Sequence, residues 1–145
     1  MKSLTCGVFI TDGNQVIVCH PTGSSWKNGW SLPKGLKDND ENEIDAAIRE
    51  VKEETGLEVY DIHLLGITES IYSKSFQNQK HFIFVDFSCR SDSDEVILNE
   101  EAESYQWIEL NEIEDYELEE FTANLLKELR KGNESKYKQE IIYGL

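Results

Sequence analysis

Glu50, Glu53 and Glu54 stand at i, i+3 and i+4 in the run Ala46-Ala47-Ile48-Arg49-Glu50-Val51-Lys52-Glu53-Glu54. If this run is helical, at roughly 100° per residue they share one face. Ile44, Ala47, Ile48 and Val51 also recur at helical spacing, as an apolar stripe about 115° round from the acids. Carboxylates so placed repel by a few tenths of a kcal/mol per exposed pair. A cation among them turns that repulsion into attraction. Hard divalent ions such as Mg²⁺ take oxygen ligands and keep water or substrate phosphates in their other positions. The same spacing also describes an acidic face that is only solvated.

The elements around this run must hold it in place. Asp40 followed by Glu43 reads as a capping box, and Gly56 suits the left-handed residue that ends a helix. Pro33 in Trp30-Ser31-Leu32-Pro33-Lys34-Gly35 cannot donate in a strand ladder, so strand structure is expected to stop there. Asp38-Asn39-Asp40-Glu41-Asn42 has the alternation of a calcium loop. Glu43 stands where such a loop needs Gly, and Arg49 where it needs Glu, which excludes an EF-hand and with it a purely structural calcium protein.

Gly35, Glu41, Arg49-Glu50-Val51, Glu53-Glu54 and Gly56-Leu57, at these separations, resemble a complete Nudix box. The box covers 23 of the 145 residues, 35–57. The resemblance implies an α/β fold, a Nudix-type α/β/α sandwich with a mixed central sheet. It implies hydrolysis of a nucleoside diphosphate linked to another moiety, with Mg²⁺ or Mn²⁺ as cofactor. It further implies that Glu50 and Glu54 ligate metal, that Glu53 ligates metal or positions the attacking water, and that the Gly35 carbonyl adds a ligand. Arg49 would support a glutamate through an ion pair, and Glu41 would brace the loop, in part through Arg49. Members often carry a similar Trp-x-x-Pro-x-Gly lead-in, in which Lys34 either meets a substrate phosphate or has no role. The Pro33-Lys34-Gly35 lead-in is loosely similar to that of diadenosine-polyphosphate hydrolases, which often have His where Leu36 stands.

The chain has 145 residues, 39% hydrophobic and 30% charged, enough for one domain over 1–145 with one core. No apolar run reaches the ~20 residues of a membrane span, and the first residues carry no signal-peptide pattern. A cytoplasmic protein without membrane partners is expected. A formal net charge of −15 argues against a nucleic-acid partner. It suits a small nucleotide polyphosphate only if divalent cations accompany the phosphates. Cys6, Cys19 and Cys89 have no metal or redox spacing and read as buried free thiols. His20, His63 and His81 do not cluster with them, so zinc has little support.

Leu4–Ile10 and Gln15–His20 read as a β-hairpin about Asp12-Gly13-Asn14. Leu64, Leu65 and Ile67 mark a further strand. Residues 71–79 read as a loop or hairpin tip, 80–89 as the strongest strand, 91–99 as an acidic connector and 105–110 as a short last strand. A second helix is expected over 117–130, with Leu118, Phe121, Leu125 and Leu129 packed on the sheet and Gly132 as its stop. The tail, 133–145, either docks as an extra strand or reaches a second subunit; monomer and homodimer stay open.

A base must take the proton of the attacking water. Glu53 is one candidate. The other is Glu101, followed by Glu100, since members of the resembled family often place such an acid about six residues before a Trp, here Trp107. Trp26, Trp30, Tyr72 and Phe76 could stack a nucleobase, which is worth roughly 1–3 kcal/mol. Nucleoside triphosphates, dinucleoside polyphosphates and ADP-ribose all remain as substrate types. The alternative to an enzyme is a Nudix-fold module that senses a nucleotide without hydrolysing it.

Overall fold

Val16, Ile17, Val18 and Cys19 are buried at every position, so the strand that carries them must be covered on both faces. In the computed structural model it is. The structure describes residues 2–12, 15–22, 29–71, 81–132 and 138–143. Their order is β1 (Lys2–Asp12), β2 (Gln15–Pro21), β3 (Lys34–Leu36), α1 (Glu43–Thr55), β4 (Val59–Ile71), β5 (His81–Ser91), β6 (Ala102–Glu109), a 3₁₀ helix (Leu110–Asp115), α2 (Glu120–Arg130) and β7 (Lys138–Tyr143).

The strands run β6-β2-β1-β5-β4-β7, and β3 pairs with β1. β1 with β5 and β4 with β7 are parallel; the other pairs are antiparallel. One apolar cluster faces α1 and joins Ile17, Cys19, Ala46, Ala47, Val51, Leu57, Val85, Phe87 and Cys89. The other faces α2 and joins Val16, Val18, Leu32, Leu65, Ile108, Ile113, Leu126 and Leu129. Alternate residues of β2 thus feed opposite layers, and on β5 Val85 and Phe87 join the α1 side while Phe84 stacks on Phe121 of α2, which is the period-two geometry of a sheet between helices.

Several expected boundaries shift, each for a local reason. The N-cap of α1 is Asn42 rather than Asp40: its side chain accepts the Asp45 N–H at 2.8 Å, and its backbone is extended. Gly56 does close the helix at φ 75°. The buried face is Ala46, Ala47 and Val51, while Ile44 is 46% exposed. Ile44 lies in the first turn, where side chains lean back past the helix start and away from the sheet. The second helix begins at Glu120, not 117, because the Glu119 carboxylate caps it by accepting the N–H groups of Phe121 (2.7 Å) and Thr122 (3.1 Å). Leu118 instead bridges to Trp30. On α2 the buried residues are Thr122, Leu126 and Leu129, with Phe121 and Leu125 half-buried.

Pro33 ends no strand structure for long, since Lys34–Leu36 pairs at once with Thr5–Gly7 of β1. In the tail, Lys138–Tyr143 docks as a strand parallel to β4. Residues 13 and 14 of the hairpin turn, 23–28, 72–80, 133–137 and 144–145 lie outside the described residues. Cys19 and Cys89 are buried thiols outside any disulfide. No helix among the described residues is long and apolar enough to cross a membrane.

Candidate active site

α1 presents its acids to two different neighbours. Glu50 and Glu54 turn toward the start of β6, where carboxylate oxygens of Glu50, Glu54 and Glu101 all lie within 4.8 Å of one another. Glu53 turns outward, with its side chain 52% exposed. The acidic face read from spacing is therefore split: Glu50 is buried, Glu54 is half-buried and Glu53 is exposed. Glu101 sits on the turn before β6, where its N–H donates to the Asn99 side chain at 3.0 Å and its carbonyl accepts the Thr22 N–H at 2.9 Å.

Three carboxylates so close cannot all hold charge without a compensating group. Burial first, then Glu50 and Glu101, push Glu54 up to about 9. Glu50 is also raised by burial, against the pull of Arg49. Glu54 Oε2 is buried and has no hydrogen-bond partner among the described residues. An orphaned buried oxygen beside two further carboxylates leaves a lone pair for a cation, so the donor set fits a divalent metal.

Arg49 holds the outer half of the site. Its Nη2 donates to Glu41 Oε1 at 2.6 Å and to the Leu36 carbonyl at 3.0 Å; its Nη1 donates to Glu50 Oε1 at 2.8 Å and Glu53 Oε2 at 3.2 Å. Hydrogen bonding from Arg49 draws the Glu41 carboxyl down to about 2. Glu41 also accepts the Asp38 N–H at 2.9 Å, which closes the box loop. Glu41 thus braces the loop through Arg49 as its position suggests.

Gly35 lies against the Glu50 carboxylate so closely that a Cβ would overlap it. Glycine is therefore required by close approach. Gly35→Ala is expected to displace Glu50 and to lower metal affinity and turnover by roughly 10- to 100-fold while the far-ultraviolet circular dichroism stays native. Isothermal titration with metal alongside turnover checks this.

Lys34 points away from these acids, into a cavity between α2 and the sheet. The cavity holds about 820 Å³ counting its open mouth, and its walls include Lys34, Phe84, Asp86, Glu119, Phe121 and Leu125. The Lys34 ammonium is 3.8 Å from Glu119 Oε1 and 5.5 Å from the centre of the Phe84 ring. Burial lowers Lys34 while Glu119, Asp86 and Glu54 oppose the shift. Burial raises Asp86 to about 7, with Lys34 opposing. Lys34 is thus largely buried in the cavity wall, with its side chain 15% exposed. Trp30 is half-buried, packs with the α2-side cluster and meets the His20 ring edge-on at 5.3 Å. Trp26, Tyr72 and Phe76 lie outside the described residues.

Sequence reading missed Asp86 and Glu119. Asp86 had a signal: an acid inside Phe82-Ile83-Phe84-Val85-Asp86-Phe87, an otherwise apolar strand. Glu119 had none, being one acid among Glu117, Glu119 and Glu120.

The fold and the acidic helix are those of the Nudix hydrolases. The NUDIX domain model matches residues 1–129, and the chain belongs to that family. It is similar to the asymmetrical bis(5′-nucleosyl)-tetraphosphatase of Mus musculus, 31% identical over 84 residues, which are 57% of each chain. The chain thus spans little more than half the length of that relative. It is also similar to nucleoside triphosphatase NudI of Escherichia coli, 28% identical over 134 residues, covering 87% of this chain and 94% of that one. In structure it resembles a NUDIX hydrolase from Nitrosomonas europaea, with a TM-score of 0.77 at 16% identity over 97% of this chain and 78% of the other.

Proposed function

We propose that the chain, acting as one domain over 1–145, is a divalent-metal-dependent pyrophosphohydrolase of small nucleotide polyphosphates. The approach of Glu50, Glu54 and Glu101 oxygens to within 4.8 Å of one another, with Glu54 Oε2 lacking a partner among the described residues, carries this reading. The names of the mouse and Escherichia coli relatives support it. Glu50, Glu54 and Glu101 would hold the metal, with the Gly35 carbonyl as a neighbouring donor. Mg²⁺ or Mn²⁺ bound there would neutralise phosphate charge and acidify a water.

The chain's own residues supply the rest. Arg49 fixes Glu50 and Glu53 in place. Glu53, outside the Glu50–Glu54–Glu101 cluster and open to solvent, takes the proton from the water. The cavity beside Lys34 receives the nucleoside. It adjoins the acids through β3, since the Lys34 side chain enters the cavity and the next residue, Gly35, lies against Glu50.

The test is phosphate or pyrophosphate release from nucleoside triphosphates, dinucleoside polyphosphates and ADP-ribose with Mg²⁺, Mn²⁺ or EDTA. Metal-dependent release is expected. Nucleotide binding with no turnover of any compound would replace the enzyme by a sensing module. Glu53→Gln is expected to lower kcat by roughly two orders of magnitude with metal affinity unchanged. Glu101→Gln is expected to weaken metal binding. If Glu101→Gln instead lowers kcat at unchanged affinity while Glu53→Gln stays active, the proton passes to Glu101.

A further inference from the structure

One cross-strand row forms part of the cavity floor. Gly7 of β1 pairs on one side with Lys34 of β3 and on the other with Asp86 of β5. Asp86 pairs in turn with Gly66 of β4. Neighbouring strands lie roughly 4.8 Å apart, so the Lys34 and Asp86 backbones stand about 10 Å apart with a glycine between them. The space over Gly7 is not vacant. Asp86 Oδ1 leans into the volume that a Cβ on Gly7 would take. Gly7 therefore lets an acid on β5 and a cation on β3 approach each other above the same strand.

The two charges differ in how far their partners satisfy them. Lys34 is paired with Glu119. The Glu119 carboxylate is itself engaged by the N–H groups of Phe121 and Thr122 and by the Thr122 hydroxyl. Among the described residues no hydrogen bond reaches the Asp86 carboxyl, although Asp86 is only 8% exposed and lines the cavity. A buried carboxyl without donors is costly. A ligand that brings two adjacent donors would remove that cost, and Lys34 beside it would meet an acceptor next in line.

Among nucleobase pairing edges, guanine offers that order: the 2-amino group and N1–H as adjacent donors, then the O6 acceptor. Adenine offers one donor and one acceptor, cytosine one donor and two acceptors, and uracil a donor between two acceptors. We propose that Asp86 and Lys34 are specificity-determining residues that select a guanine base, Asp86 accepting from N1–H and the 2-amino group and Lys34 donating to O6. This rests on the reading of the cavity as the nucleoside site.

The experiment compares guanosine, inosine, xanthosine and adenosine nucleotides. Binding of the 5′-monophosphates is measured by isothermal titration in EDTA, and kcat/KM of the triphosphates is measured with Mg²⁺. Guanosine is expected to exceed adenosine by roughly tenfold or more in both, with inosine, which lacks the 2-amino group, between them. Asp86→Asn presents an N–H₂ where an oxygen stood. It should lower guanosine roughly tenfold and raise xanthosine, whose C2 carbonyl can accept that donor. Lys34→Met should lower guanosine and inosine together with no gain for xanthosine. The wild-type base series and Lys34→Met decide the matter if Asp86→Asn does not fold. Equal affinity for all four bases, or an Asp86→Asn effect of equal size on each, overturns the proposal. Turnover without base preference removes only the base selection. Guanosine-selective binding without turnover supports the selection and removes only the hydrolase.

Discussion

Glu54→Gln is expected to abolish metal-dependent turnover, with a loss on the order of a thousandfold, and at the same time to make the metal-free protein more stable at pH 8. The second half is what separates a metal site from an ordinary structural carboxylate. Burial and its acidic neighbours raise Glu54 to about 9 in the folded chain, against about 4.3 for an unperturbed glutamate. Between those values the unfolded chain has lost the proton and the folded chain keeps it. The unfolded state then binds fewer protons, and stability falls as pH rises through that window. Glutamine cannot ionise, so it removes this slope. Thermal melts in EDTA from pH 5 to 9 should show wild type losing stability with pH and the variant losing less, so that the variant melts higher at pH 8. A variant that melts lower at every pH would mean that Glu54 is held by the fold rather than kept for a ligand.

The same proton couples to the metal. A carboxylate must be ionised to ligate, so binding below pH 9 expels the Glu54 proton. Apparent metal affinity should rise up to about tenfold per pH unit through this range. Titrations of wild type in two buffers of different ionisation enthalpy should report close to one proton released at pH 7.5, and Glu54→Gln should release none. Proton release that persists in the variant would move the titrating group to Glu50, whose carboxyl burial also raises.

The box residues were legible because their spacing is a property of one helix. Glu50, Glu53 and Glu54 are fixed relative to one another by the helical repeat, and Gly56 ends the helix at the expected place. What spacing could not give was the rotation of that helix on the sheet. Periodicity weights Ile44 above Ala46, whereas packing buries Ala46 completely and leaves Ile44 exposed. Small residues let α1 approach the sheet, and that approach brings Glu50 against Gly35. Glu101 was found through its distance from Trp107, a sequence relation, though its meeting with Glu54 is a tertiary contact. The cavity was less legible. It is assembled by Lys34, Gly7 and Asp86 from three strands whose register depends on a parallel β1–β5 pairing. Parallel partners are joined by long crossovers, so no local pattern announces which residues will share a row. The Glu119 cap was hidden for a related reason: among clustered acids, only the fold decides which one turns inward.

Arg49→Lys should behave as a severe substitution although charge is kept. One guanidinium serves Glu41, Glu50, Glu53 and the Leu36 carbonyl at once, through three nitrogens fixed in a plane. An ammonium offers three donors from a single point on a shorter reach and cannot span the box loop and two helix acids together. Glu50 should then lose its outer restraint, and turnover should fall roughly 10- to 100-fold, as for other groups that orient metal ligands. Two readouts besides turnover identify the cause. First, Glu41 is drawn to about 2 chiefly by its hydrogen bonds from Arg49, with the Asp38 N–H second; in the variant a carbon-detected titration should show its carboxyl rise toward the usual 4.3 while the Asp38 N–H still holds it below that value. Second, a lowered carboxyl stabilises the fold above its unfolded value, and that contribution fades as pH falls from about 4.5 toward 2. The melting difference between wild type and Arg49→Lys should therefore be full above pH 5 and close toward pH 2. A Glu41 titration left unchanged by the lysine would show that charge alone, rather than the fork of the guanidinium, organises the loop, and turnover should then survive the substitution as well.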